Sequence, residues 1–251
     1  MEEKIGTYQF VAEPFHVDFT GHLTLGVLGN QMLNAAGFHA ADRGFGMKRL
    51  NSENYTWVLS RLAIEMNDLP VQYDPFSIQT WVEDVYRLFT DRDFAVLDKD
   101  GQTIAYGKSV WAMINANTRK PVDMAVIHGS NITDYLCDKP CPIDKPSRIK
   151  VESTEPVAVV DVKYSDIDIN GHVNSIRYIE HVLDLFPVSM YKEKSVRRFE
   201  IAYVAETFDG DSLHFYVDKE GDDIFNVEIR KNGTEVVARS KMIMQDRKQK
   251  Q

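Results

Sequence analysis

The sequence predicts an α+β protein of two similar halves, each a curved antiparallel sheet wrapped round one helix. Three observations indicate this: a polar motif that occurs twice, an apolar helical stripe after each copy, and several β-type segments after each helix. The 251 residues, 43% of them hydrophobic, suffice for two domains that each bury a core. One helix cannot cover a flat sheet of this size, so we expect each sheet to curve and the halves to pair edge to edge as a pseudo-dimer.

The repeated motif is Asp18-Phe-Thr-Gly-His22 in the first half and Asp168-Ile-Asn-Gly-His172 in the second, at an offset of 150. A short strand is expected before each copy and a helix after it. The apolar residues at helical spacing are Leu25, Leu28, Met32 and Ala36 after the first copy, and Ile176, Ile179, Leu183 and Phe186 after the second.

Residues rich in Val, Ile, Phe, Tyr and Trp then predict a four-stranded antiparallel meander in each half. The predicted strands are Tyr55–Met66, Phe76–Val82, Phe94–Asp98 and Thr103–Asn115, then Val196–Val204, Ser212–Val217, Ile224–Lys231 and Thr234–Gln245. Asp100-Gly101 and Asn232-Gly233 predict the last hairpin turn of each half. These turns are offset by only 132, which places about 18 extra residues in the first half, in a loop over 38–54 that could act as a lid.

Composition excludes several classes of function. The net charge of −9 argues against a nucleic-acid partner, no apolar run is long enough to cross a membrane, and the acidic start is not a targeting segment. Two cysteines, Cys137 and Cys141, form neither a disulfide framework nor a zinc site. We therefore expect a cytoplasmic protein with no metal or organic cofactor, in which a proline-rich connector over 137–152 separates domains over 1–136 and 153–251.

The second copy extends to Asp166-Ile-Asp168-Ile-Asn170-Gly-His172-Val-Asn174, with Tyr178 four residues later, and a further block reads Tyr203-Val-Ala-Glu206-Thr207. These residues resemble the motifs of the plant and bacterial acyl–acyl-carrier-protein (acyl-ACP) thioesterases. The resemblance implies a double hotdog fold, hydrolysis of fatty acyl-ACP to free fatty acid and ACP, and the catalytic residues Asp168, Asn170, His172 and Glu206. It departs at Thr207, where the family commonly has cysteine, so no thiol nucleophile is available there.

Residue chemistry fits such hydrolysis. Alternate residues of an extended segment point to one side, so Asp168, Asn170 and His172 can face one pocket. Backbone N–H groups from Gly171 to Asn174, at the start of the helix, could stabilise an oxyanion, and Gly171 would let the acyl carbonyl approach closely. Two mechanisms stay open: water activated by His172 and Glu206, or Asp168 as a nucleophile that forms an anhydride.

The first-half copy is incomplete, since Thr20 replaces the asparagine and the residues near Val71 offer no glutamate. We interpret that half as the non-catalytic part that holds the acyl chain. Competing functions are an acyl-CoA thioesterase, a hydratase or dehydratase, and a non-catalytic acyl-binding protein. Because the chain is acidic, an acidic carrier protein would need a local basic patch, and a homodimer is left open. Candidates for the patch are Lys139, Lys145, Arg148, Lys150, Lys192, Lys194, Arg197 and Arg198.

Overall fold

A computed structural model describes residues 3–126 and 132–247. The chain divides into two compact units, Met1–Lys145 and Pro146–Gln251. No helix among the described residues is long and apolar enough to span a membrane.

Among its described residues, the first unit contains five strands and two α-helices. Its elements are β1 (Gly6–Val11), α1 (Leu25–Asp42), α2 (Met47–Ser52), β2 (Tyr55–Met66), β3 (Pro75–Val85), β4 (Phe89–Leu97) and β5 (Thr103–Asn115). The strands lie in the order β1-β3-β4-β5-β2, and every pairing is antiparallel.

The second unit repeats this plan. Its elements are β6 (Ala158–Asp161), α3 (Ser175–Asp184), α4 (Val188–Glu193), β7 (Lys194–Tyr203), β8 (Ser212–Glu220), β9 (Ile224–Lys231) and β10 (Glu235–Asp246). The order β6-β8-β9-β10-β7 is that of the first unit, again with antiparallel pairs only. The internal duplication in the sequence is therefore a duplication of topology.

The predicted meander is correct for the last three strands of each unit and wrong for the first. Strand β2 pairs with β5 rather than with β3, and β7 pairs with β10 rather than with β8. In the sequence, α1 lies between β1 and β2, and α3 lies between β6 and β7. The chain therefore crosses the sheet of each unit through the helix and returns at the opposite edge. The predicted hairpin turns are confirmed: Gly101 has φ +78°, and Asn232 and Gly233 have φ 52° and 74°.

Helix α1 packs its apolar stripe against the sheet of the first unit. Leu28 and Met32 are fully buried, and Gly107 on β5 gives α1 room, since a Cβ there would lie 3.2–3.3 Å from Phe94 and Met32.

The 38–54 segment is not the predicted loop: α1 continues to Asp42, and α2 follows. Burial of Ala40, Phe45 and Leu50 in one apolar cluster explains this folding.

The proline-rich segment packs against the sheets. In the first unit, the backbone N–H of Cys137 donates to the carbonyl of Val82 (3.0 Å), and Lys145 Nζ lies 2.5 Å from Asp91. In the second unit, the Ser147 backbone N–H and hydroxyl both donate to Glu200 (2.6 Å each). Both cysteines are free thiols.

Candidate active site

Residues 166–174 form a small hairpin just before α3. Ile167 and Val173 form an isolated antiparallel bridge, Asp168 donates its N–H to the His172 carbonyl (2.9 Å), and Gly171 donates to the Asp168 carbonyl (3.0 Å). Gly171 has φ +82°, in the left-handed region, as the three-residue hairpin with a glycine bulge requires. We expected this glycine to admit the substrate carbonyl; its evident role is to close the turn that brings Asp168 beside His172.

The structure brings all four predicted catalytic residues together in the second unit. Nδ1 of His172 lies 3.7 Å from an Asp168 carboxylate oxygen, and Nε2 lies 3.5 Å from a Glu206 carboxylate oxygen. Asn170 donates its backbone N–H to Asp168 (2.8 Å) and its side-chain amide to the other oxygen of the same carboxylate (3.3 Å). An imidazole flanked by two carboxylates can take a proton and keep the resulting positive charge stabilised.

The imidazole and the two carboxylates remain accessible. The side chains of His172, Asp168 and Glu206 are 23%, 18% and 33% exposed. The ring of Phe208, itself half-exposed, lies edge-on to the imidazole with its centroid 6.4 Å away. A thioester and a water molecule can therefore reach His172 from solvent, beside an aromatic wall.

Thr207 is fully buried and makes two polar contacts. Its carbonyl accepts from the Val173 N–H (2.8 Å), and its hydroxyl accepts from the Tyr178 hydroxyl (2.8 Å). Thr207 therefore has a structural contact with α3, and its hydroxyl does not face solvent. The hydroxyl contact of Tyr178 was not predicted from the sequence.

Two backbone amides expected to stabilise an oxyanion already have acceptors. The Gly171 N–H donates to Asp168, and the Asn174 N–H donates to the Asp166 carbonyl (2.8 Å). The Asn174 side chain instead caps α3, accepting from the Ile176 N–H (2.8 Å). Val173 is engaged with Thr207, so within the described chain the His172 N–H is the only amide from 171 to 174 that has no protein acceptor.

The first unit contains the same hairpin with different side-chain contacts. Asp18 donates its N–H to the His22 carbonyl (2.9 Å), Gly21 has φ +78°, and the Thr20 hydroxyl contacts Asp18 (2.6 Å) and His22 (3.1 Å). Leu23 donates to the Pro70 carbonyl as Val173 donates to Thr207. The residue corresponding to Glu206 is therefore Leu69, two positions before the Val71 region in which an apolar counterpart was expected.

These paired hairpins give a matched prediction. Gly171→Ala and Gly21→Ala both force an alanine into the left-handed region, so each is expected to lower the free energy of unfolding by about 1–2 kcal/mol. Only Gly171→Ala should lower the turnover of a substrate, because only that turn positions a complete set of groups. Denaturant unfolding and steady-state rates of the two variants check this; equal rates would show that the 171 turn does not position the site.

Half of the eight candidates for a basic patch pair with carboxylates. Several candidates pair with carboxylates of their own unit: Lys145 with Asp91, Lys150 with Glu152, Lys194 with Asp223, and Arg198 with Glu200. Lys139 lies 4.6 Å from the centroid of the Trp81 ring. Charge on these side chains is therefore a weak guide to where a partner binds.

Within the described residues, no group of three or more His, Cys, Asp or Glu is placed to hold a metal ion.

The chain is similar to proteins of known structure. A crystal structure of an acyl-ACP thioesterase from Bacteroides thetaiotaomicron is 68% identical, with a TM-score of 0.92 over 96% of this chain and 98% of that one. A 12:0-ACP thioesterase from Umbellularia californica is 19% identical with a TM-score of 0.86, over 98% and 99% of the two chains. These likenesses correspond to a hotdog-type fold.

The chain also matches curated plant sequences. The palmitoyl-acyl carrier protein thioesterase of Arabidopsis thaliana, described as chloroplastic, is 26% identical over 170 residues, which cover 65% of this chain and 41% of that protein. The dodecanoyl-[acyl-carrier-protein] hydrolase of Cinnamomum camphora is 26% identical over the same length, covering 65% and 44%. The aligned part thus spans about two fifths of the length of these relatives.

Two family models match in order along the chain. The acyl-ACP thioesterase N-terminal domain matches residues 7–126, and the acyl-ACP thioesterase C-terminal domain matches residues 149–245. The quartet around His172 lies within the second match, and the incomplete copy around His22 lies within the first. Since the two models together cover most of its length, the chain belongs to the acyl-ACP thioesterase family.

Proposed function

We propose that this protein hydrolyses fatty acyl-ACP thioesters, releasing free fatty acid and ACP, and so ends or diverts fatty acid synthesis. The observation that carries the proposal is the accessible imidazole of His172 between the carboxylates of Asp168 and Glu206. The plant relatives are named palmitoyl-acyl carrier protein thioesterase and dodecanoyl-[acyl-carrier-protein] hydrolase. The proposed compartment is the cytoplasm, as composition predicts.

We further propose a division of labour between the domains. Residues 1–136 form the hotdog domain that holds the acyl chain, and residues 153–251 form the catalytic hotdog domain. Residues 137–152 connect the two domains, which are joined as a pseudo-dimer. The incomplete first copy supports this division, because Leu69 stands where the second copy has Glu206. The identical strand order of the two units supports a duplicated fold.

In the proposed reaction, His172 and Glu206 take a proton from a water molecule that attacks the thioester carbonyl. Asn170 helps to orient the water or the thioester. The tetrahedral intermediate then breaks its C–S bond, and the protonated His172 gives its proton to the departing thiolate, leaving the carboxylic acid and the free thiol of ACP. The His172 backbone N–H is the amide that we assign to the oxyanion, in place of those of Gly171 and Asn174.

The hydrogen bonds that the Asp168 carboxylate accepts favour this water mechanism over the alternative in which Asp168 attacks the thioester. Both of its carboxylate oxygens accept hydrogen bonds from Asn170, which hold the group in the turn and reduce its nucleophilicity. Single-turnover hydrolysis in ¹⁸O-water tests for an anhydride that is broken down by attack of water on the Asp168 carbonyl. We expect the label in the fatty acid after the first turnover; label that appears first in the Asp168 carboxylate would establish the anhydride route instead.

A thiol-release assay tests the function itself. Wild-type protein is incubated with acyl-ACP and acyl-CoA carrying the same acyl chains over several lengths, and free thiol is measured against time. We expect release from acyl-ACP, with a higher kcat/KM than for the matched acyl-CoA. Preference for acyl-CoA would make the protein an acyl-CoA thioesterase, and binding without thiol release would make it an acyl-binding protein.

A further inference from the structure

The buried face of α3 carries two polar side chains, Tyr178 and His181, three residues apart on one turn of the helix. Each bonds to a different segment that supplies part of the quartet. Tyr178 contacts the segment that follows Glu206, and His181 contacts the start of the hairpin that carries Asp168 and His172. We call Tyr178 and His181 the α3 anchors.

The first anchor fixes the segment of Glu206. The Tyr178 hydroxyl donates to the Thr207 hydroxyl (2.8 Å), and both residues are buried. Burial raises the pKa of Tyr178 to about 12, so its hydroxyl keeps its proton and remains a donor. Because Thr207 directly follows Glu206 and also accepts from Val173 (2.8 Å), this contact fixes the backbone from which the Glu206 side chain extends.

The second anchor fixes the hairpin. Nε2 of His181 lies 3.0 Å from one Asp166 carboxylate oxygen, while the other oxygen accepts from the Lys163 N–H (2.8 Å). A carboxylate only accepts hydrogen bonds, so Nε2 of His181 carries the donated proton. Asp166 is buried, and its carbonyl accepts from the Asn174 N–H (2.8 Å), so it ties the two ends of the hairpin to the helix.

The first unit supplies a comparison within the same molecule. At the offset of 150, Leu28 stands in place of Tyr178, Gln31 in place of His181, and His16 in place of Asp166. Leu28 is buried and has no polar side-chain group, and the Gln31 side chain accepts from Asn34 on its own helix. Both anchors are absent from the copy that lacks the glutamate, although its hairpin is the same.

We propose that the α3 anchors are positioning residues, which set the separation between the Glu206 carboxylate and the His172 imidazole from opposite sides of the site. The proposal rests on the proposed function, since it concerns the groups that activate water there. Two contacts to one rigid helix turn fix a distance between two segments better than either segment could alone. A displacement of about 1 Å at such a site can cost roughly a hundredfold in rate.

The test uses variants that remove one donor each. Tyr178→Phe removes the hydroxyl, His181→Phe removes the donor and keeps a ring, and His181→Gln keeps an N–H that can reach Asp166. We expect Tyr178→Phe and His181→Phe to lower kcat about ten- to a hundredfold with little change in KM. His181→Gln should restore most of the loss, and Thr207→Val should add little to Tyr178→Phe.

Tyr191→Phe is the matched control. Tyr191 donates its hydroxyl to the Leu183 carbonyl near the other end of α3 (2.7 Å), so its loss should lower Tm without lowering kcat. If Tyr178→Phe and His181→Phe behave in the same way as this control, their role is only structural and the proposal is overturned.

A second measurement does not depend on turnover. In protein with ¹⁵N-labelled histidine, the ring resonances of His172 should shift in Tyr178→Phe and His181→Phe and stay in place in Tyr191→Phe. A wild-type protein that releases no thiol would refute the proposed function, while shifted His172 resonances would still support the positioning role. Unshifted resonances would refute the positioning role even in an active enzyme.

Discussion

His172→Ala is expected to lower kcat for thiol release by at least about a hundredfold, the scale of a lost general acid–base group. In the structure the imidazole of His172 lies beside both carboxylates of the site, 3.7 Å from that of Asp168 and 3.5 Å from that of Glu206. In the proposed reaction, its removal takes away the base that accepts the proton of water and the acid that protonates the thiolate. The measurement is the initial rate of thiol release at saturating acyl-ACP, with far-ultraviolet circular dichroism to confirm folding.

His22→Ala is the internal control for this prediction. His22 occupies the corresponding position in the hairpin of the first unit. Its imidazole contacts the hydroxyl and the backbone carbonyl of Thr20, and Leu69 replaces the glutamate. We expect kcat to stay essentially unchanged in this variant. Equal losses in His172→Ala and His22→Ala would mean that both copies take part in the reaction, and the assignment of the first domain as non-catalytic would be wrong.

Most of the fold was predictable because its signals are local. The apolar spacing after each motif marks α1 and α3, and the ranges predicted for Tyr55–Met66, Thr103–Asn115 and Ile224–Lys231 match β2, β5 and β9. Asp-Gly and Asn-Gly turns mark the hairpins in the same direct way. The place of β2 beside β5 was not predictable, because strand pairing across a helical connection depends on contacts between residues distant in the sequence.

In the candidate site, too, the features set by local sequence were predictable and those set by distant contacts were not. The spacing of Asp168, Asn170 and His172 lies within five residues, so local geometry places them on one hairpin. Glu206 was found only through the resemblance to a family, since nothing in its local sequence marks it as different from an ordinary strand-end charge. The α3 anchors were missed because their partners are distant in the chain: Tyr178 and Thr207 are 29 residues apart, and His181 and Asp166 are 15 apart.

Glu206→Gln should also lower kcat by at least about a hundredfold. The amide has nearly the shape of the carboxylate, so the local packing is retained, but the amide is not a base and carries no charge to stabilise protonated His172. Steady-state thiol release again measures the effect. Glu152→Gln is the control, because Glu152 is an exposed carboxylate of the same unit paired with Lys150, and its rate should match the wild type.

The double variant His172→Ala, Glu206→Gln tests whether the two residues act as one unit. If both act on the same water molecule, loss of either already disables its activation, and the double variant should be little slower than the slower single variant. If each contributed to a separate step, the two losses in activation free energy would add, and the rates would fall by the product of the single effects. The 3.5 Å separation of Nε2 from the Glu206 carboxylate favours the first result, since groups this close can share one proton pathway. Fully additive losses would contradict the proposed joint activation of water and leave Glu206 with a separate role in binding the thioester.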